Sequence, residues 1–135
     1  MIVFQSLRQR SAADWILLAE AASLSLFVAA ALRILPYPRM QRSLEQLARF
    51  RSRTHRSVAE VTWAITAVGR RIGRPTCLTE AAVAYTMLRR RGHEPRLQIG
   101  VRRGGSVLEA HAWIECSGAV VFGEVPEMTG YAVLR

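Results

Sequence analysis

Three side chains in this sequence of 135 residues have the types and spacing for nucleophilic chemistry: Cys77, His111 and Glu124. Cys77 lies in Gly73-Arg74-Pro75-Thr76-Cys77-Leu78-Thr79-Glu80, where glycine and proline turn the chain between two helical patterns and Thr76 stands as N-cap of the second. The thiol is thereby placed in the first turn of a helix, where unpaired N–H groups and about half a positive charge gather. Such a site stabilises a thiolate and makes it nucleophilic near neutral pH. A cysteine buried for structural reasons is the alternative for the same residue.

The histidine stands on a strand pattern. From Arg96 onward the apolar period changes to two, giving strands over Leu97 to Arg103, Val107 to Glu115 and Ala119 to about Glu124, with turns at Gly104-Gly105 and Ser117-Gly118. On the middle strand Leu108, Ala110, Ala112 and Ile114 share a core face, and Glu109, His111, Trp113 and Glu115 share the other. A lone strand histidine is structural more often than catalytic, so the partner matters. With Ser117-Gly118 as a two-residue hairpin loop, Cys116 faces Ala119, Glu115 faces Val120, Trp113 faces Phe122 and His111 faces Glu124. Directly opposed Cβ atoms lie about 4.5–5.5 Å apart, close enough for Glu124 to orient the imidazole and stabilise its charge. A three-residue loop with Gly118 as the bulge residue puts Gly123 opposite His111 instead, and leaves Glu109 and Glu115 as same-strand orienters.

A helix-terminal Cys, a strand His and a carboxylate on the next strand make up a cysteine hydrolase. The base takes the thiol proton, N–H groups beside Cys77 hold the oxyanion, and the imidazolium protonates the leaving amine. Cys116 has no helix N-terminus beside it and is expected to be incidental. Two cysteines give neither a disulfide framework nor metal-ligand spacing, so no metal or cofactor is expected.

The elements that must position these residues are mostly helical. Ser11 or Asp14 caps a long helix running to about Leu35, where Pro36 and Pro38 stop it. Between Trp15 and Leu32 its only charge is Glu20, so the run is close to the roughly 18–20 apolar residues that span a bilayer. Burial against the rest of the domain is the favoured reading, with membrane association through about residues 14–35 left open. Arg39 to Arg56 carries six arginines with Met40, Leu44, Leu47 and Phe50 at helical spacing, an amphipathic helix with a solvated basic face. Ser57-Val58-Ala59-Glu60 is a capping box, followed by the stripe Val58, Val61, Ile65, Val68, Ile72. The cysteine helix runs from Cys77 to about Arg91 with Leu78, Ala82, Tyr85 and Leu88 as its stripe. Arg89, Arg90 and Arg91 suit the C-terminal dipole, and Gly92 suits the C′ position.

The length suits one domain, 1–135, with residues 1–56 as a helical N-terminal part and 57–135 as the catalytic core. The formal charge is +9 and all nineteen basic residues are arginine, which implies an acidic partner. No interleaved aromatics or zinc spacing support a nucleic-acid site. No small-residue cleavage site follows the N-terminal segment, so a cytoplasmic location is expected.

The pattern Arg74…Cys77-Leu78, Leu88-Arg89-Arg90-Arg91-Gly92, Ile99-Gly100-Val101 and Ala110-His111-Ala112-Trp113-Ile114-Glu115 resembles the transglutaminase-like leader peptidases of lasso-peptide biosynthesis. These are the B proteins, here in the stand-alone form without a fused recognition domain. The resemblance extends over nearly the whole chain, and its specificity rests on Cys-Leu and His-Ala-Trp standing 34 residues apart. It implies an α+β, papain-like and transglutaminase-like cysteine protease fold, with N-terminal helices packed on a small antiparallel sheet. It implies a precursor-peptide substrate cut between leader and core, delivered by a small recognition protein, with a lasso cyclase using ATP downstream. Cys77 is then the nucleophile and His111 the base. The family's third residue is usually an aspartate; this chain has none beyond Asp14, so Glu124 takes that place.

Overall fold

Two Ser-x-x-acid boxes start helices here, and both close as capping boxes. Ser11 Oγ accepts from the Asp14 N–H while the Asp14 carboxylate accepts from the Ser11 N–H, and Ser57 and Glu60 repeat the arrangement. The computed structural model describes residues 11–52, 55–73, 76–123 and 130–133. Among them the order is α1 (Ala12–Ile34), α2 (Tyr37–Ala48), α3 (Val58–Arg71), α4 (Cys77–Arg90), β1 (Pro95–Gly104), β2 (Val107–Cys116), β3 (Ala119–Phe122) and β4 (Ala132–Val133). The strands form one antiparallel sheet in the order β3-β2-β1-β4, and the helices pack on one face of it. The expected α+β arrangement is borne out. The short strand β4, paired with β1 at Gly100 and Val101, was not expected.

The core forms around α4. Thr79, Ala81 to Ala84 and Thr86 to Leu88 are buried, so the helix is enclosed nearly all round and not along one stripe. Leu78 and Tyr85, expected in the stripe, are only half-buried. Leu97, Ile99, Ala112 and Ile114 cover it from the sheet. Two expected core residues lie outside: Phe50 is 71% exposed, beyond the end of α2, and Ile72 caps α3 at 40% exposed.

At the far end of α4 the polar groups gather. Gly92, at φ +85, takes the left-handed C′ position, with Gly92 N–H bonded to the Arg89 carbonyl and His93 N–H to the Leu88 carbonyl, each 3.1 Å. Arg90 and Arg91 do more than face the dipole: both pair with the Glu20 carboxylate of α1, and Arg91 Nη1 also donates to the Met87 carbonyl at 3.0 Å. Leu17, Leu18, Ala21, Ser25, Val28 and Ala31 are the buried face of α1. Its other face leaves Ile16, Leu26, Phe27 and Ile34 in the open. By length and apolar content α1 passes the test for a membrane span, while Glu20 is committed to the protein.

The Arg91 side chain is only 3% exposed, so removing its counter-charge strands a buried cation. Glu20→Gln is expected to lower stability by about 3 kcal/mol, at the low end for breaking a buried pair. Urea unfolding checks this, and a loss below about 1 kcal/mol would assign the pair to the surface class. The Arg56 guanidinium holds the Asp14 carboxyl below its ordinary 3.8, and the Ser57 N–H holds the Glu60 carboxyl below its ordinary 4.5. For a depressed carboxylate the stabilisation is complete above the unfolded pKa and fades as pH falls through the folded one. Stability is therefore expected to be level above pH 4.5 as regards these two groups and to drop below pH 3.8. Urea midpoints across that range, less steep in Asp14→Asn, measure it.

Candidate active site

Thr76 sets the start of α4 as the sequence suggested. Its Oγ1 accepts from the Thr79 N–H at 3.2 Å, and its carbonyl takes the first helical bond, from the Glu80 N–H at 3.1 Å. Cys77 is thus the first helical residue, and it is exposed. The N–H groups of Cys77 and Leu78 have no acceptor among the described residues, as the geometry of a helix N-terminus requires.

Helix and strand rises bring the two catalytic candidates to one level. The chain turns back after α4 through Gly92 to Glu94 into β1. Fourteen helical residues climb about 21 Å, and at about 3.3 Å per strand residue that reaches the sixth or seventh residue of β1. Those residues are Gly100 and Val101, whose β2 partners are His111 and Ala110. Along β2 residues 107–110 are exposed and 112–114 buried, so His111 sits at the rim of the packed layer. The faces differ, however. Cys77 shares its helix side with buried Ala81, Ala84 and Leu88, whereas His111 shares its strand face with Trp113, turned from the core that Ala112 and Ile114 enter. No hydrogen bond joins thiol and imidazole.

The imidazole is held by backbone. His111 Nε2 lies 2.5 Å from the Gly123 carbonyl oxygen. A carbonyl only accepts, so Nε2 carries the hydrogen, and Nδ1 of the neutral ring is left as the acceptor nitrogen. Trp113 stacks beside the ring with centroids 6.1 Å apart, and Tyr131 lies on it at 5.7 Å. Gly100 makes room for this cluster: a Cβ there would fall 2.7 Å from the Trp113 ring and 2.9 Å from Tyr131 Cβ. The Arg102 guanidinium covers Tyr131 at 4.9 Å.

The strand register departs from the expected one after Val120. The two-residue turn is present, with Ser117 at φ +53 and Gly118 at φ +81, and Cys116 faces Ala119 and Glu115 faces Val120 as expected. The ladder then skips Val121, so that Ile114, and not Trp113, faces Phe122. This bulge lets Val121 and Phe122 both pack on the core, which strict alternation forbids. Beyond it Gly123 lies against Trp113, where a Cβ would stand 3.0 Å from the Ala112 carbonyl, and its φ of +83 favours glycine as well. The straight register that set Glu124 opposite His111 therefore does not hold. Glu124 itself lies outside the described residues. The same-strand orienters are engaged elsewhere: Glu109 accepts from Arg102 Nε at 2.7 Å, and Glu115 from Trp113 Nε1 at 2.9 Å.

Residues 22–135 match the family model described as the transglutaminase-like superfamily. The chain belongs to that superfamily. It includes cysteine proteases, which agrees in kind with a thiol at a helix start and an imidazole on the neighbouring sheet. No curated protein and no solved structure matches the chain. Gly123 and Tyr131 are the site residues that the favoured sequence reading missed. The signal for Gly123 was the run Val120-Val121-Phe122-Gly123, three consecutive apolar residues that a two-faced strand cannot all place. Tyr131 gave none, being brought in by a two-residue strand.

In this transglutaminase-like domain the two thiols differ in setting: Cys77 is exposed, and burial pushes the Cys116 thiol up. Iodoacetamide at pH 7 is expected to alkylate Cys77 at least about tenfold faster than Cys116, read by peptide mapping. Faster labelling of Cys116 would contradict the assignment.

Proposed function

We propose that the protein is a cysteine endopeptidase that removes the leader from a ribosomally made lasso-peptide precursor. The observation that carries the reading is the His111 imidazole, pinned at Nε2 by Gly123 with Nδ1 left as acceptor, in a domain whose exposed cysteine starts a helix. The Cys-Leu and Ala-His-Ala-Trp elements support the narrower substrate assignment. In the reaction Nδ1 takes the Cys77 thiol proton as sulfur adds to the scissile carbonyl. The N–H groups of Cys77 and Leu78 meet the oxyanion. The C–N bond breaks, and the imidazolium gives its proton to the leaving amine, which becomes the N-terminus of the core. Water then cleaves the thioester to a leader carboxylic acid and restores the thiol. On this reading thiol and imidazole come together only with the peptide bound, since such contacts are often long before substrate binds. A small recognition protein brings the leader, and a cyclase consumes the freed amine. Glu124 is the acid assigned to support the imidazolium.

A mass-spectrometric cleavage assay with precursor and recognition protein tests this. Cys77→Ala is expected to abolish cleavage, and His111→Ala to slow it about 10²–10⁴-fold, the usual worth of a positioned base. Glu124→Ala is expected to weaken it less, because a backbone carbonyl also holds the ring. Cleavage by Cys77→Ala at the wild-type rate would remove the thiol mechanism. The open apolar side of α1 favours a second reading, a membrane-associated adaptor that grips the precursor without turnover. Sedimentation with anionic vesicles, together with an inactive wild type, would select it.

A further inference from the structure

A groove of about 750 Å³ runs beside α3, and neither Cys77 nor His111 lines it. At one end stand Trp15, Leu18 and Ala59, at the other Arg70, Arg71 and Glu80. Trp63 and Ala67 of α3 lie between, and Val120, Val121, Phe122 and Gly123 form the opposite wall. Val120, Val121 and Phe122 are consecutive in β3 and cannot all point one way, so the groove meets β3 along its edge. Among the described residues that edge pairs with no strand, β3 being the end of the sheet. The groove also leads to the reactive end of the fold. Gly123 carries the carbonyl that holds His111, and Glu80 stands one turn after Cys77.

We infer that this groove binds an extended apolar segment of the precursor on the leader side of the cut, adding it as a strand to β3. The inference rests on the protease reading above. Unpaired N–H and C=O groups of an edge strand bond any extended peptide, and a wall of aromatic and small side chains selects apolar residues. From Ala59 to Arg71 α3 rises about 18 Å, which an extended chain crosses in about five residues. Charge sets the order along that segment. Exposed Arg70 lies at the end of the groove next to the start of α4, and an acidic residue close to the cut fits there. The leader side is favoured by the chemistry. The acyl fragment stays on sulfur until water arrives, so its residues must be held through both half-reactions.

Fluorescein-labelled synthetic peptides ending at the cut and starting at it are titrated into Cys77→Ala protein by polarisation. Thr66→Arg, which obstructs the groove from an exposed position, and Arg70→Glu are compared in that background and in the active enzyme. The leader-end peptide is expected to bind and the core-end peptide not. Thr66→Arg and Arg70→Glu are each expected to raise KM for the precursor at least about tenfold, the signature of lost ground-state binding. The iodoacetamide rate at Cys77 in both variants is expected to match wild type, which shows the fold intact. Unchanged KM and polarisation in both variants overturn the groove while leaving the protease. A wild type that cuts nothing, yet binds the leader-end peptide in a manner Thr66→Arg abolishes, keeps the groove and removes the protease.

Discussion

The enclosure of α4 is the constraint on which the other elements depend. Alanines at 81, 82 and 84 with Val83, Met87 and Leu88 leave little of the helix for water, so α1, α2, α3 and the sheet each supply a wall. Full burial of each large side chain contributes about 1.5–3 kcal/mol, and these contributions require every wall at once. A helix enclosed in this way is most open to solvent at its ends. One end is tied off by the Gly92 motif and the Glu20 pairs, and the other carries Cys77.

Opposite chemistries at the two ends follow from the same geometry. At the C-terminal end a carboxylate from α1 meets two guanidiniums where the carbonyl dipoles already favour cations. At the N-terminal end free N–H groups gather, suited to a thiolate and to an oxyanion. On the sheet side, one extra residue in β3 swings the Gly123 carbonyl onto His111, so a packing requirement of Val121 and Phe122 decides which imidazole nitrogen carries the proton. Packing and chemistry are coupled through that single bulge.

Local signals were legible where the chain declares its own geometry. Ser57 with Glu60, Thr76 before Cys77, Gly92 after the arginines and the Ser117-Gly118 turn each specify a backbone conformation without help from elsewhere, and each is found. Non-local outcomes were not legible. Nothing in the spacing of Arg90 and Arg91 points to Glu20, seventy residues away. The bulge depends on what covers Val121, which only the assembled core decides. Strand β4 is two residues long, too short for any period to reveal. The helix start at Cys77 and the strand around His111 were legible from local pattern, but the bond from His111 to the Gly123 carbonyl was not.

The measurement closest to the central claim is the tautomer of His111, read from the ¹⁵N shifts and two-bond couplings of the labelled ring at a pH where the imidazole is neutral. A protonated, pyrrole-type Nε2 and an unprotonated, pyridine-type Nδ1 are expected, with the pattern kept in Cys77→Ala. The reverse assignment, or rapid averaging between the two, would mean that Gly123 does not hold the ring, and that His111 does not stand ready as the base for Cys77.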